Sequence, residues 1–144
     1  MPPGTFAHRN LPRLLLQARE SLMAHTRPGL REKGLSDQQW RVLRALAEHG
    51  TLETGQVARE AYILGPSLTG VLARMERDGL IARERDPADQ RRTVVQATPR
   101  GKRLVRNLSD SVEAHYAWLE QSLGKQKLAQ LYELLDQLIA LEQP

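Results

Sequence analysis

Apolar side chains recur at spacings of three and four along most of this 144-residue chain, which is the period of amphipathic helices. The first helix is expected from Leu11 to Lys33, with Pro28 and Gly29 bending or breaking it near its end. Ser36 is a candidate N-cap for the second helix, Pro66 suits the first turn of the fourth, and Thr98 caps the fifth. The other predicted helices are a short one at 53–61, a fourth one at 67–78, a long one ending at Gly124 and a last one with a leucine stripe from Leu128 to Leu141.

Between the fourth and fifth helices the period changes. Leu80–Arg85 alternates apolar and charged residues, Thr93–Ala97 is short and rich in β-branched residues, and a polar loop separates them. Two such segments predict a hairpin. The element order therefore predicts a mainly α fold with a two-stranded β-wing, a winged helix-turn-helix, in residues 36–98. Residues 1–10 are expected to form a disordered lead.

The helical segments 11–35 and 99–144 are predicted to be dimerisation helices. Their leucine stripes expose more apolar surface than one small domain covers, and such surface usually packs on something else. We therefore expect a homodimer.

Composition narrows the class of protein. Hydrophobic residues make up 40% of the chain and charged residues 26%, as in globular proteins, and there is no cysteine for disulfides or thiolate metal sites. No window approaches 18 uncharged apolar residues, and the N-terminus lacks the apolar core of a signal peptide. We therefore expect a cytoplasmic protein with no membrane partner.

Charge is distributed unevenly along the chain. Residues 41–106 carry 13 Arg and Lys against 8 Asp and Glu, a net charge of +5, whereas residues 107–144 carry 2 Lys against 6 acidic residues, a net charge of −4. A basic block favours a polyanion such as double-stranded DNA as the binding partner, although an ordinary solvated surface can carry the same excess of Arg and Lys.

The helix-turn-helix pattern sharpens this expectation, because its second helix enters the major groove of DNA. The start of that helix offers hydroxyl groups, a glycine that permits close approach and an arginine that can read guanine. The alternative is that the hydroxyl groups only cap and solvate the helix. The candidate DNA-binding residues on this helix are Pro66, Ser67, Thr69, Gly70 and Arg74.

The loop of the wing supplies three more candidates, Asp89, Arg91 and Arg92. A carboxylate two residues before Arg91 can hold its guanidinium extended, and an arginine on a loop suits the negative potential of a narrow minor groove. Alone, the same residues would form a solvated turn with a weak surface ion pair.

Motifs for other kinds of function do not occur. The chain has no Gly-rich phosphate loop, no His-Glu-x-x-His pair and no nucleophile motif, and its four histidines lack metal-ligand spacing. We predict no enzyme activity, no catalytic residues, no cofactor and no metal.

Three motifs in the correct order resemble the MarR family of transcriptional regulators. Residues 64–81 resemble its recognition helix and exit, Asp89-Gln90-Arg91 resembles its Asp-x-Arg wing signature, and Thr98-Pro99-Arg100-Gly101 resembles its Thr-x-x-Gly entry into the dimer helix. The resemblance covers about residues 14–141. It implies a dimer built by the first and last two helices, and two recognition helices that read a palindromic operator.

Within that family the chain is most similar to regulators of homoprotocatechuate degradation operons, at residues 15–20, 38–41 and 63–69. Those regulators respond to aromatic acids, so the resemblance implies a repressor released by an effector such as a hydroxylated phenylacetate. A sister group that controls hydroxylated nicotinate catabolism is similar, and a hydroxylated pyridine carboxylate stays an alternative. Another alternative function is that of a winged-helix architectural or interaction protein without an effector.

The resemblance also implies that the effector sits between the DNA-binding lobe and the dimer helices. A carboxylate there needs an arginine or histidine, and a ring needs apolar walls. The candidates are Arg19 as anchor, His25 as a second polar contact and Trp40 as a wall. Their alternatives are an ion pair with a surface acid for Arg19, a surface or core position for His25 and a plain core position for Trp40.

Overall fold

The computed structural model describes residues 4–144, which form six helices and one three-stranded sheet. The predicted class, mainly α with a wing after a helix-turn-helix, is confirmed. The elements in chain order are α1 (Leu11–Glu32), α2 (Asp37–His49), β1 (Leu52–Glu53), α3 (Thr54–Ala61), α4 (Gly65–Arg77), β2 (Ile81–Arg85), β3 (Thr93–Ala97), α5 (Pro99–Leu123) and α6 (Lys125–Ala140).

The predicted disordered lead is only partly covered, because residues 1–3 lie outside the described residues. Residues 4–10 contain neither helix nor strand. Asn10 then caps α1, with its Oδ1 accepting a hydrogen bond from the Arg13 N–H at 3.0 Å.

Of the bend or break expected at Pro28 and Gly29, the break does not occur, because α1 continues to Glu32, one residue before the predicted end. Pro28 lies in the last two turns, where the missing N–H removes only one bond from a long ladder. The buried side chain of Leu30 anchors that last turn, and Gly34 follows with a positive φ of 73°.

The sheet has one strand more than the predicted two-stranded wing. Its order is β1-β3-β2, all antiparallel, with Leu52 opposite Val95 and Ile81 opposite Ala97. Because β1 is only two residues long, it has no alternating pattern that a sequence could display. It nevertheless places the buried Leu52 beside Val95 and ties the start of α3 to the base of the wing.

The first compact unit extends to Val105 and contains the buried apolar side chains of the described residues except Leu108. The N-terminus of α2 has the predicted capping box: Gln39 N–H donates to Ser36 Oγ at 3.1 Å, and Ser36 N–H donates to Gln39 Oε1 at 3.0 Å. The core is apolar. Its most deeply buried side chains are Leu30, Val42, Leu43, Val57, Leu68, Val71, Leu72, Met75, Ile81 and Val95.

The N-terminus of α5 is held under the exit of α4. Thr98 Oγ1 accepts from the Gly101 N–H at 3.1 Å, which confirms the predicted cap, and donates to the Gly79 carbonyl at 2.6 Å. The Thr98 N–H donates to the Leu80 carbonyl at 3.0 Å. Gly101 lies so close to that carbonyl that a Cβ atom would collide with it. The Thr-x-x-Gly motif therefore joins α4, the wing and α5 by close backbone approach.

The second compact unit is Arg106–Pro144, which holds the rest of α5 and all of α6. On α5 the His115 and Trp118 rings stack with centroids 5.5 Å apart. Large apolar side chains on α6 are exposed in the single chain, namely Leu131, Tyr132, Leu134, Leu138 and Ile139. Within residues 4–144, none of the helices combines the length and apolar character that crossing a bilayer requires.

Replacing Gly101 with alanine should destabilise the protein by about 1–3 kcal/mol, because the new methyl group forces the α4–α5 junction apart. Thermal unfolding followed by circular dichroism at fixed protein concentration measures this. The matched control is Gly55→Ala on α3, where the new Cβ would meet only the Arg59 side chain at 3.7 Å. Equal midpoints for the two variants would contradict the account of the junction.

Candidate DNA-binding surface

The helix α4 buries one face and exposes the other. Leu68, Val71, Leu72 and Met75 are almost completely buried. The opposite face carries the residues predicted from the sequence, with Pro66, Ser67, Thr69 and Arg74 exposed and Gly70 partly exposed. The structure thus brings all five of these candidates onto one surface.

The first turn of α4 is suited to an anion. Its N-cap residue is Leu64, which has no side-chain acceptor for the free N–H groups of that turn. Pro66 occupies the first turn, where its missing N–H is harmless. The helix begins at Gly65, two residues before the prediction, and the Thr69 hydroxyl donates back to the Gly65 carbonyl at 3.3 Å.

Arg74 lies one turn after Gly70 on the exposed face. A Cβ atom on Gly70 would meet Arg74 Nη1 at 3.6 Å, so the guanidinium lies over Gly70 and toward the start of the helix. In the described part of the chain, Arg74 makes no salt bridge within 4 Å. Its charge therefore remains available on the exposed face of α4.

In the wing, the predicted contact between Asp89 and Arg91 is confirmed. Arg91 donates from Nε to Asp89 Oδ1 at 3.2 Å and from Nη2 to Oδ2 at 3.4 Å, while its backbone N–H donates to Oδ1 at 3.1 Å. The pKa of Asp89 is lowered, mainly by the hydrogen bond from the Arg91 side chain and to a smaller extent by the one from the Arg91 backbone N–H. The Arg91 side chain is 91% exposed. A charged carboxylate thus orients an arginine that otherwise stands in solvent.

Arg92 has a different environment from Arg91. Its Nη1 donates to Glu53 Oε1 at 3.1 Å, and its Nε lies 3.7 Å from Asp89 Oδ2. Glu53 ends β1 and precedes α3, so Arg92 braces the wing against the helix-turn-helix. Its side chain is 55% exposed, and two carboxylates partly neutralise it.

Further hydrogen bonds hold the wing in shape, and the sequence did not predict them. Arg85 Nη1 donates to the Gln90 carbonyl at 2.7 Å, and the Asp86 N–H donates to the Arg92 carbonyl at 2.9 Å. Arg83 Nη2 donates to Glu76 Oε1 at 3.0 Å, which links β2 to α4, and this hydrogen bond lowers the pKa of Glu76. The wing and α4 therefore form one braced surface.

The structure gives each effector candidate the following surroundings. Arg19 Nη2 donates to both Asp37 oxygens, at 3.2 and 3.1 Å, so this arginine has the ion pair that was its alternative assignment. Trp40 is 7% exposed and packs in the core, which was the alternative to a wall of the effector site. His25 is exposed.

A cavity of about 140 Å³ lies beside Trp40, with charged residues of α2 and α3 on its walls. Arg19 is not among them. Sequence reasoning missed these wall residues because nothing in their spacing sets them apart from surface charges. They are Arg41, Arg44, Glu48, His49 and Glu60.

Known proteins share this arrangement of elements along nearly the whole chain. The MarR family model matches residues 33–92. The chain is 41% identical to the HTH-type transcriptional regulator FarR of Neisseria gonorrhoeae, over 97% of this chain and 96% of that protein. It is also 41% identical to the homoprotocatechuate degradative operon repressor of Escherichia coli, over 93% of this chain and 90% of that protein.

A solved structure, that of NadR in complex with 4-hydroxyphenylacetate, is also similar. It superposes with a TM-score of 0.87 at 40% identity and covers 98% of this chain and 100% of that one. Relatives that are about 40% identical match nearly the whole chain, and the helices and the wing correspond to those of a solved relative. The chain therefore belongs to the MarR family of transcriptional regulators.

Proposed function

We propose that the protein is a repressor that binds a palindromic DNA operator as a homodimer and is released by a small aromatic acid. The observation that carries this proposal is the single braced surface formed by the exposed face of α4 and Arg91 of the wing. The name of the E. coli relative and the ligand of the NadR structure support the repressor and effector parts.

The geometry supports contact with both grooves of DNA. A major groove of about 12 Å admits one helix, and the exposed side chains of α4 include donors and acceptors that can read base edges. Arg91 stands out from the wing with its guanidinium oriented by Asp89, as insertion into a minor groove requires. Asp89 thus acts as a positioning residue, and Arg92 is proposed as a weaker phosphate contact.

Exposed apolar residues support the dimer. Large apolar side chains are exposed in the α6 stripe and on α1, where they are Leu11, Leu15 and Leu22. Their exposure to water is unfavourable. Two copies of the chain would cover these faces and would place two α4 helices on one duplex, with half-sites about one helical turn apart.

Two arginines are candidates for the effector carboxylate. Arg19 is the proposed anchor, and a carboxylate ligand would replace Asp37 as its partner. Arg44 is the alternative, because it lines the cavity beside Trp40. The effector proposed is 4-hydroxyphenylacetate or a close analogue, and a hydroxylated pyridine carboxylate is tested beside it.

Removing Arg91 and removing Arg74 should have different effects on DNA binding. Arg91→Ala should weaken binding to many sequences together and reduce the log–log slope of affinity against salt by about 1. Arg74→Ala should weaken binding by about 1–3 kcal/mol and relax the base preference at one position per half-site. Thr69→Ala is expected to change the selected bases also. Binding-site selection followed by titration in a salt series measures both effects.

The charge-matched control is Arg27→Ala on α1, which removes a guanidinium paired with Glu20 far along the chain from the wing. Selected motifs identical to wild type for both α4 variants would remove base reading from α4, and normal affinity of Arg91→Ala would remove the wing. Equal affinity of the wild type for palindromic and random duplexes would favour an architectural protein.

Placing a charge in the α6 stripe should weaken the dimer. Leu134→Asp puts a carboxylate at a position exposed in the single chain, so the fold tolerates it while the dimer would have to bury it. Sedimentation analysis over a range of concentrations should show a shift toward monomer, with Gln130→Asp on the same helix as control. If the dimer dissociation constant of Leu134→Asp equals that of the wild type, the interface lies elsewhere.

The effector should stabilise the protein and weaken DNA binding. A ligand at 100 times its Kd adds about 2.7 kcal/mol to stability, which a thermal-shift assay detects. Arg19→Ala should bind DNA normally and lose the thermal shift and DNA release with 4-hydroxyphenylacetate. An unchanged response in Arg19→Ala together with an abolished response in Arg44→Ala would move the anchor to the cavity beside Trp40.

A further inference from the structure

The turn between α3 and α4 contains an unusual residue. Tyr62 has φ 52° and ψ 51°, and in the described range 4–144 it is the one residue other than glycine with a positive φ. A bulky aromatic residue rarely adopts this left-handed conformation, which glycine or asparagine adopts at lower cost. Its side chain is also 83% exposed, so burial does not compensate for the conformation.

The turn is held rigidly from the inside. Ile63 is buried, and its N–H donates to the Ala58 carbonyl at 3.0 Å. Arg41 Nη1 of α2 donates to the Tyr62 carbonyl at 3.4 Å. Because Ile63 points into the core, Tyr62 and Leu64 on either side of it point outward, and Leu64 is 79% exposed.

These outward side chains form a groove of about 440 Å³ together with Ala58, Ile63 and the basic residue Arg59. The groove is apolar apart from a guanidinium and a phenol hydroxyl. It leads directly into the first turn of α4, because Leu64 is the N-cap and Pro66 follows. It is therefore continuous with the proposed DNA-binding surface.

We propose that this groove binds the sugar–phosphate backbone of DNA beside each major-groove contact, an inference that rests on the proposed function. The Tyr62 ring packs on a deoxyribose, its hydroxyl donates to a phosphate oxygen, and Arg59 supplies positive charge. Leu64 extends the apolar wall toward the sugar. The positive charge, the uncapped first turn and the continuity with α4 favour a polyanion over a protein segment or a second copy of this chain.

This assignment makes Tyr62 a positioning residue that carries no base information. Phosphate and sugar contacts fix register on the duplex but do not distinguish sequences. Loss of the hydroxyl should therefore weaken specific and nonspecific binding by the same factor, unlike loss of a base-reading residue of α4.

The test uses the full-length protein and two fluorescein-labelled duplexes, one obtained by selection from a random pool and one with its sequence scrambled. Tyr62→Phe should weaken binding to both by about fivefold or more, since a hydrogen bond to a charged phosphate oxygen is removed twice in a dimer. The salt slope should not change, because no charge is removed. Arg59→Ala should lower the slope by about 0.9 for each phosphate that its guanidinium neutralises in the wild type.

Tyr62→Gly separates binding from folding. It relieves the left-handed conformation, so its thermal midpoint should not fall below that of the wild type, while its DNA affinity should fall at least as far as that of Tyr62→Phe. Wild-type affinity of both Tyr62 variants for both duplexes would overturn the proposal. So would a loss confined to dimerisation or to the response to 4-hydroxyphenylacetate, which would indicate another occupant.

The two proposals fail in different ways. If the wild type prefers its selected duplex and the Tyr62 variants bind it equally well, only the groove assignment is wrong. If the wild type binds both duplexes equally and Tyr62→Phe weakens both, the groove assignment holds and the operator proposal fails. If the wild type binds neither duplex, both are overturned.

Discussion

The burial of one face of α4 is the constraint on which the rest of the structure depends. Leu68, Val71, Leu72 and Met75 are each at most 1% exposed. Each such side chain contributes about 1.5–3 kcal/mol when it leaves water, whereas a typical surface ion pair contributes about 0–1 kcal/mol. Hydrophobic burial therefore fixes how α4 is rotated, and the polar face that can meet DNA is a consequence of that rotation.

The wing is oriented by a second kind of interaction. Its ion pairs are exposed and add little to stability, but each restricts where a side chain can point. Asp89 orients Arg91, Glu53 draws Arg92 toward the base of the sheet, and Glu76 joins Arg83 to α4. Close backbone approach at Gly101 then joins this surface to α5. A surface assembled this way is preorganised, so little ordering remains to be done when a rigid partner such as DNA binds.

The sequence predicted those features that depend on local periodicity and capping. The helices, the caps at Ser36 and Thr98 and the contact of Asp89 with Arg91 involve neighbours within about one turn. The hairpin pairs two strands that are joined by a single short loop. The sequence missed features set by distant partners: β1 has only two residues and is defined by pairing with β3, and Glu53 lies 39 residues from Arg92. The break considered at Pro28 does not occur, because the buried side chain of Leu30 anchors the last turn of α1. The conformation of Tyr62 has no sequence signature, since tyrosine is not a residue that favours it.

The central claim is that α4 occupies the major groove while the wing occupies the adjacent minor groove. Dimethyl sulfate reports on both, because it methylates guanine N7 in the major groove and adenine N3 in the minor groove. On a duplex obtained by selection with the wild-type protein, the account predicts guanine N7 protection at two sites about one helical turn apart, each flanked by adenine N3 protection. Protection of one groove only, or full reactivity of both bases in a saturated complex, would contradict it.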